Sequence, residues 1–267
     1  MSESNHMARI TRTTVAWQAR LLLAACVLAS APQTHAVSPL TTDDADTVEP
    51  GRLQLNAGWQ FSRTASVRLH SIPINPVLGL SSRAELGATF GYQWRDGFGS
   101  APGQADADGI TDLTLALKWR LWQTADDGFK LSARLDLKLP TASEPRGFGT
   151  GHADVRAVLI ATRCWGRTCL DWNIGYIAVN AWRGAFGDDQ WFLGQAVRQQ
   201  LTERWTLIGE TYALLPQGNE GASANVHFNG GAQLTVRENF LVSALIGSAA
   251  GRNSADLTGY LGFTFLY

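Results

Sequence analysis

Hydrophobic and polar residues alternate along the stretch LTLALKWRLW, residues 113–122. Successive side chains of an extended chain point to opposite faces. Four leucines and a tryptophan therefore share one face, while Lys118 and Arg120 lie on the other. A soluble β-sandwich would bury the leucines and expose the charges, whereas a transmembrane β-barrel turns apolar residues to lipid and charges to the lumen.

The same alternation recurs through the chain in segments of about ten residues, the length of a tilted strand that crosses an outer membrane. These segments predict about twelve strands, an even number as in bacterial barrels. The second is the weakest, because Pro73 and Pro76 cannot donate ladder hydrogen bonds. The predicted strands span residues 52–62, 66–78, 83–95, 110–122, 129–140, 152–164, 169–181, 189–201, 204–214, 224–236, 239–249 and 256–267.

Four of these segments alternate less cleanly, and the pattern assigns no facing to them. They lie near residues 152–164, 189–200, 204–214 and 239–248. Connections alternate between short turns and longer loops rich in Gly, Pro, Asp and Ser, as in bacterial barrels. The exception is the first hairpin, which is short where a long loop is expected. Large aromatic residues lie at or near predicted strand ends, where barrels carry their interfacial girdles: Trp94, Trp119, Trp122, Trp165, Trp182, Trp191, Trp205 and Tyr267.

The first 36 residues have a different composition. A basic region that ends at Arg20 precedes the apolar run LLLAACVLASA and a small-residue site at Ala36, which predicts a cleaved secretory signal peptide. LAAC also fits a lipoprotein cleavage box, but the apolar run between Arg20 and Cys26 is short, so ordinary cleavage is preferred. Three arginines and one glutamate leave with residues 1–36, and the formal net charge changes from −1 to −3.

The predicted fold is thus all-β, a transmembrane antiparallel up-and-down β-barrel of about twelve strands preceded by a signal peptide. The expected organisation is a signal peptide over 1–36, a periplasmic segment over 37–51 and the barrel over 52–267. Export and the barrel pattern place the protein in the outer membrane of a Gram-negative bacterium. The absence of a basic excess argues against a nucleic-acid partner.

Two cysteines remain after the signal, in the sequence CWGRTC. A zinc site would need further Cys or His residues at suitable spacing. In an oxidising exported compartment, a disulfide between Cys164 and Cys169 that pins a hairpin turn is the preferred interpretation, with two free thiols as the alternative.

Basic residues cluster on one predicted wall of the lumen. Such like charges need compensation, for which Glu85, Asp136 and Glu210 are candidates. Either the set is a hydrated ion-pair lattice, or it is an electropositive strip that favours anionic solutes. The acidic segment with Asp43, Asp44, Asp46 and Glu49 is a candidate plug for the lumen. The predicted basic set, on two adjacent strands, is Lys118, Arg120, Lys130, Arg134 and Lys138.

No catalytic site emerges from the sequence. A barrel enzyme that acts on lipid would need Ser, His and an orienting group on the lipid-facing rim. The histidines after the signal are His70, His152 and His227, and His227 shares the inward face of its strand with Asn229, so it is expected to line the lumen. The sequence motif G-x-S-x-G, which surrounds the nucleophilic serine of many lipases and esterases, is absent. No cofactor and no metal are expected.

Four stretches resemble the outer-membrane proteins associated with meta-pathway phenol degradation, a family of transport channels. They are TTDDADTVEPGRLQL (41–55), GITDLTLALKWRL (109–121), LKLPTASEPRGFGTGHADV (137–155) and GDDQWFLGQAV (187–197). The ending YLGFTFLY, with Gly262, Phe265 and Tyr267, resembles the signal read by the barrel-assembly machinery.

The resemblance implies a channel for passive uptake of small hydrophobic or aromatic molecules. The alternatives are a non-conducting structural or adhesive barrel and, third, a barrel enzyme that acts on lipid. The expected partners are outer-membrane lipid, the assembly machinery and a small solute.

Overall fold

The computed structural model describes residues 40–65, 67–97, 106–180, 189–217, 224–251 and 254–267. The predicted signal peptide and parts of four predicted long loops, with Trp182 in one of them, lie outside the described residues. Within the described ranges, no helix is long and apolar enough to cross a membrane.

Thirteen strands account for most of the described residues. In chain order they are β1 (Leu53–Arg63), β2 (Val67–Ser81), β3 (Ala84–Gly97), β4 (Ala107–Ile110), β5 (Leu113–Gln123), β6 (Phe129–Leu139), β7 (Asp154–Trp165), β8 (Thr168–Ala178), β9 (Gln190–Gln200), β10 (Trp205–Pro216), β11 (Asn225–Arg237), β12 (Phe240–Ala250) and β13 (Leu257–Leu266).

These strands form one closed antiparallel sheet. Neighbours in sequence are neighbours in the wall, and β13 pairs with β1 to close the ring. β4 and β5 pair with successive parts of β3, so together they occupy one position, and the described wall has twelve positions. The predicted up-and-down barrel of about twelve strands is confirmed. The predicted strand 110–122 is interrupted near its start, since β4 ends at Ile110 and β5 begins at Leu113. Between them, Asp112 accepts a hydrogen bond from the backbone N–H of Ala142.

The proline-containing strand β2 is the longest of the described strands. Its register with β1 is interrupted between Ser71 and Ile74, and its register with β3 between Ile74 and Val77. These interruptions coincide with Pro73 and Pro76, since proline has no N–H to donate to a ladder. The strand persists because its remaining residues pair on both sides.

The outer face of the wall is apolar. In β5, Trp119 is 57% exposed and Leu117 is also exposed, whereas Lys118 between them is only 6% exposed. Lys118 therefore points into the lumen and the leucines point to lipid, the inverse of a soluble sandwich. The chain is a transmembrane barrel of the outer membrane.

The four segments without a predicted facing have an apolar inner face as well. Val158, Ile160, Phe192, Ile208 and Leu241 are all buried. Strands β7, β9, β10 and β12 thus carry apolar side chains on both faces. For this reason hydrophobic and polar residues alternate only weakly along their sequences.

Candidate functional site

Residues 41–48, called here the N-terminal strap, lie inside the barrel. The backbone N–H of Thr42 donates to Glu210 (2.9 Å), and that of Ala45 donates to the Thr162 hydroxyl (2.9 Å). The Ser132 hydroxyl donates to the carbonyl of Ala45 (2.6 Å). The strap thus satisfies its backbone groups with side chains of the wall, as a buried segment must. These residues belong to the segment 37–51 predicted as periplasmic; the division of the chain at residue 51 stays a prediction.

The strap places Asp43 between two cations of the wall. Its carboxylate lies 3.3 Å from Lys118 Nζ and 2.8 Å from Arg134 Nη1. The backbone N–H of Asp43 donates to Asn173 (2.9 Å), whose amide donates back to the carbonyl of Asp43 (2.8 Å). This reciprocal pair holds the carboxylate in line with both cations.

Two further strap carboxylates reach other cations. Asp44 lies 3.3 Å from Arg198, which also binds Asp171 at 2.8 Å. Asp46 lies 2.6 Å from Lys130 and 3.7 Å from Arg120, the latter at the outer limit of an ion pair. Charge-assisted pairs of this kind are stronger than neutral hydrogen bonds.

The pKa values of the strap carboxylates move in opposite directions. Burial tends to raise the pKa of Asp43, but the attraction of Lys118 and Arg134 outweighs it and lowers the value to about 2. Burial raises the pKa of Asp44 to about 7, against the attraction of Arg198 and with added repulsion from Asp46. The charge of Asp44 therefore changes near neutral pH, whereas that of Asp43 does not.

An apolar contact completes the seat of the strap. Ala45 is fully buried against Val158, Ile160 and Phe192. The guanidinium of Arg156 lies 4.2 Å from the centre of the Phe192 ring, a cation–π distance. The strap is thus held by charge, backbone hydrogen bonds and apolar packing together.

The predicted lumen residues lie on the inner face with partners of different kinds. Glu85 pairs with Lys118 at 3.1 Å, and Asp136 pairs with Arg134 at 2.7 Å. Glu210 accepts from the strap backbone and from Asn229 (2.7 Å). In the remaining set, Arg120 lies opposite Ser132, Lys138 pairs with Asp112 and Asp154, and His227 stacks on Tyr212 at 4.4 Å between ring centres.

Glu49, proposed with the strap aspartates as part of a plug, lies elsewhere. It is exposed and pairs with Arg52 at 3.5 Å, outside the buried cluster. Sequence reasoning also missed Arg198, Thr162 and Asn173. All three lie on β7–β9, two of which had no predicted facing. The available signal for Arg198 was that it is the one charged residue of β9.

Two cavities remain beside the strap. We call the barrel end with the short turns the turn end, and the opposite one the loop end. The cavity nearer the turn end has a volume of about 220 Å³ and includes Gln54, Asn75 and Leu241 in its lining. The cavity nearer the loop end has a volume of about 270 Å³ and includes Gln60 and Thr258. Both cavities border β1, β2, β12 and β13. The cavity nearer the turn end also reaches the strap aspartates, Lys118 and Arg134, whereas the lining of the cavity nearer the loop end contains no basic residue.

Tyr260 lies at the boundary between the two cavities. Its side chain covers Gly262 and reaches Gly58 on the neighbouring strand, where a Cβ on either glycine would collide with the tyrosine hydroxyl. Gly58 lies between Gln54 and Gln60 along β1, hence between the cavities. The two glycines thus provide the space that an aromatic ring needs to lie flat on the wall.

Cys164 and Cys169 lie directly opposite each other in the β7–β8 hairpin and are joined by a disulfide. Gly166 in the turn between them adopts φ of +54°, which favours glycine. Among the residues that the structure describes, no group of three or more His, Cys, Asp or Glu side chains could hold a metal ion.

The family model described as "Putative MetA-pathway of phenol degradation" matches residues 37–267. The chain belongs to this family. The match covers the strap and every strand of the barrel, so the strap is within the family's shared region. The family resemblance predicted from four sequence stretches is confirmed. No curated protein matches the sequence.

Solved structures share the fold of this family member at low sequence identity. The crystal structure of an outer membrane channel from Pseudomonas putida F1 has a TM-score of 0.66 and 16% identity, and the match covers 87% of this chain and 100% of that one. KdgM porin has a TM-score of 0.53 and 8% identity over 79% and 98% of the two chains. NanC porin has a TM-score of 0.53 and 9% identity over 80% and 98%.

Proposed function

We propose that the protein is an outer-membrane channel for passive uptake of small uncharged molecules, hydrophobic or aromatic in character. The observation that carries the proposal is the division of the lumen. The strap occupies the basic wall. One cavity lies between the strap and the wall of β1, β2, β12 and β13, and a second cavity, free of basic residues, follows along that wall nearer the loop end. The P. putida structure with the same fold is itself named an outer membrane channel.

The charge distribution supports an uncharged solute. Lys118, Arg134 and Arg198 are engaged by strap and wall carboxylates, so they form an ion-pair lattice while the strap is in place. The cavity nearer the loop end is lined mainly by hydroxyl, amide and apolar groups. Its carboxylate, Glu210, already accepts hydrogen bonds from Thr42 and Asn229. The description of the family points to phenols as the first solutes to test.

Conductance and permeation of the refolded mature protein test this proposal together. In planar bilayers we expect small discrete steps with weak ion selectivity, since the strap neutralises the basic wall. In a liposome assay we expect faster entry of phenol than of benzoate, which has a similar shape but carries a charge. Equal entry of both solutes, or faster entry of benzoate, would contradict the proposal.

A non-conducting structural barrel is the second candidate, and the buried strap favours it. The ion pairs and the packing of Ala45 resemble a filled interior more than an open pore. A heat-modifiable barrel that inserts into bilayers but passes neither ions nor phenol would support this candidate.

We also propose that the C-terminal strand carries the assembly signal. Phe265 faces outward and stacks on Phe240 with ring centres 4.4 Å apart, while the backbone of Tyr267 exchanges hydrogen bonds with Leu53 and closes the ring. Tyr267→Ala should reduce the amount inserted in cells, whereas the refolded variant should retain the barrel. Leu266→Ala is the matched control, since Leu266 faces inward. Equal loss of insertion in both variants would argue against a specific signal.

A further inference from the structure

A polar pair interrupts the lipid-facing surface of β8–β10. Gln195 lies directly opposite Thr211 in the ladder between β9 and β10, and both side chains point outward, because their neighbours Ala196 and Glu210 face the lumen. Gln195 is exposed. Its position, four residues from Trp191 along β9, places it well inside the apolar belt.

The surroundings of this pair are apolar. The neighbouring outward residues Trp172, Ile174, Leu193 and Val197 are all exposed. Among the described residues, the side-chain amide of Gln195 has no hydrogen-bond partner. An amide left unpaired in hydrocarbon is unfavourable, since lipid chains offer neither donor nor acceptor. A polar group from outside this chain would satisfy the amide at this position.

A shallow hollow lies at the same place. Its volume is about 410 Å³, and Leu159, Ala161, Trp172, Leu193 and Gln195 contribute to its lining. Small side chains at this surface allow another wall to approach closely, which is how protein surfaces associate within a bilayer. The hollow and the unpaired amide of Gln195 thus lie on the same patch of the outer wall.

We propose that this patch is the interface with a second copy of the same chain. An amide is self-complementary: about a two-fold axis, each Gln195 donates an N–H to the carbonyl oxygen of the same residue in the second copy. In a two-fold interface the same patch of each copy meets its counterpart, so one glutamine near the axis is enough to form both hydrogen bonds. The hollow gives room for side chains of the facing copy. The resulting dimer has parallel barrels with separate lumens.

Energy transfer between differently labelled copies in liposomes tests the interface. Gln195→Leu should weaken association by about tenfold, the scale of a reciprocal pair of membrane-buried hydrogen bonds. Leucine on the lipid face is compatible with the barrel. Gln199→Leu is the control, because Gln199 lies on the same strand but is already bonded to Thr168. Wild-type association in Gln195→Leu, or equal loss in both variants, would overturn the proposal.

Cross-linking gives an independent test. The native cysteines form a disulfide, so an introduced cysteine supplies a single free thiol. Gln195→Cys should form covalent dimers in liposomes under a membrane-permeant oxidant. Ala244→Cys, which faces outward on β12, three strands further along the wall, should form far fewer at the same protein-to-lipid ratio. Equal yields from both, or none from Gln195→Cys, would show that the polar pair faces lipid or another molecule. Neither assay depends on conduction.

Discussion

Buried polar groups are paired in different ways on the two sides of the lumen. On the neutral side, formed by β11–β13, β1 and β2, polar side chains bond to one another across strands. Asn56 bonds to Asn75 at 3.0 Å and accepts from Thr264 at 2.8 Å, and Gln233 donates to Ser243 at 3.1 Å. This side is complete without the strap, and the cavities lie along it.

The charged side, formed by β3 and β5–β9, needs the strap. The wall carboxylates Glu85, Asp136 and Asp171 neutralise part of its positive charge, and three strap aspartates supply more. Buried cations are tolerated only when they are paired, so the wall selects an acidic segment as its occupant. The comparison shows how one barrel keeps a segment on one wall and space along the other.

Removal of the strap charges is expected to have the largest effect. A variant with Asp43, Asp44 and Asp46 all changed to Asn should release the strap, because Lys118, Arg134 and Lys130 lose the carboxylates of Asp43 and Asp46, and this loss exceeds the gain from a neutral residue 44. We expect single-channel conductance to increase several-fold and the pore to prefer anions. Glu49→Gln is the control, since Glu49 pairs only at the exposed rim with Arg52. Unchanged conductance and selectivity in the triple variant would mean that the strap does not depend on these charges.

Loss of a single buried cation should reduce stability strongly. Lys118→Met leaves the buried Glu85 without its cation and Asp43 with Arg134 alone, which is expected to cost about 3–5 kcal/mol. The free energy of unfolding by urea in lipid vesicles measures this effect. Arg52→Met removes an exposed pair and should cost about 0–1 kcal/mol. Similar losses in the two variants would remove the distinction between the buried network and the rim.

A change on the neutral side should have a smaller and purely local effect. Gln233→Leu leaves the buried Ser243 hydroxyl without its partner, at an expected cost of about 1–2 kcal/mol. Addition of Ser243→Ala should recover part of that loss, because no buried hydroxyl then remains unpaired. The same urea unfolding measurement applies. A loss as large as that of Lys118→Met would mean that the neutral side also depends on a wider network.

The smallest predicted effect is a pH dependence of the strap. The pKa of Asp44 is about 7 when docked and 3.8 ordinarily, so protonation favours docking. This contribution is complete below about pH 4 and is lost as pH rises through 7. Asp43, with a pKa of about 2, stays charged throughout that range, as do the facing cations Lys118 and Arg198. Asp46, the other facing carboxylate, pairs with Lys130.

Single-channel recording should therefore show more open events at pH 8 than at pH 5. Asp44→Asn keeps the shape of the side chain without its titration and should flatten the profile. An unchanged profile in this variant would assign the titration to another group.

The sequence predicted some strands of the wall better than others. The outer face must be apolar along its whole height, so period-two alternation in β1, β3, β5 and β6 predicted the strands and the inward direction of Lys118 and Arg134. In β7, β9 and β10 the inner face is apolar as well, because Val158, Ile160 and Phe192 pack against Ala45 of the strap. The alternation of apolar and polar residues is weak in these strands, and sequence reasoning missed Arg198 for this reason.

By itself, the sequence determined the class of fold, the approximate strand count, the family and the basic character of one wall, because all of these depend on short-range periodicity or on local motifs. Only the tertiary structure decided what neutralises that wall. Asp43 and Lys118 are separated by 74 intervening residues, and no local pattern encodes a contact of that kind. Because the same long-range pairing holds the strap against the basic wall, open space remains along the neutral side of the lumen.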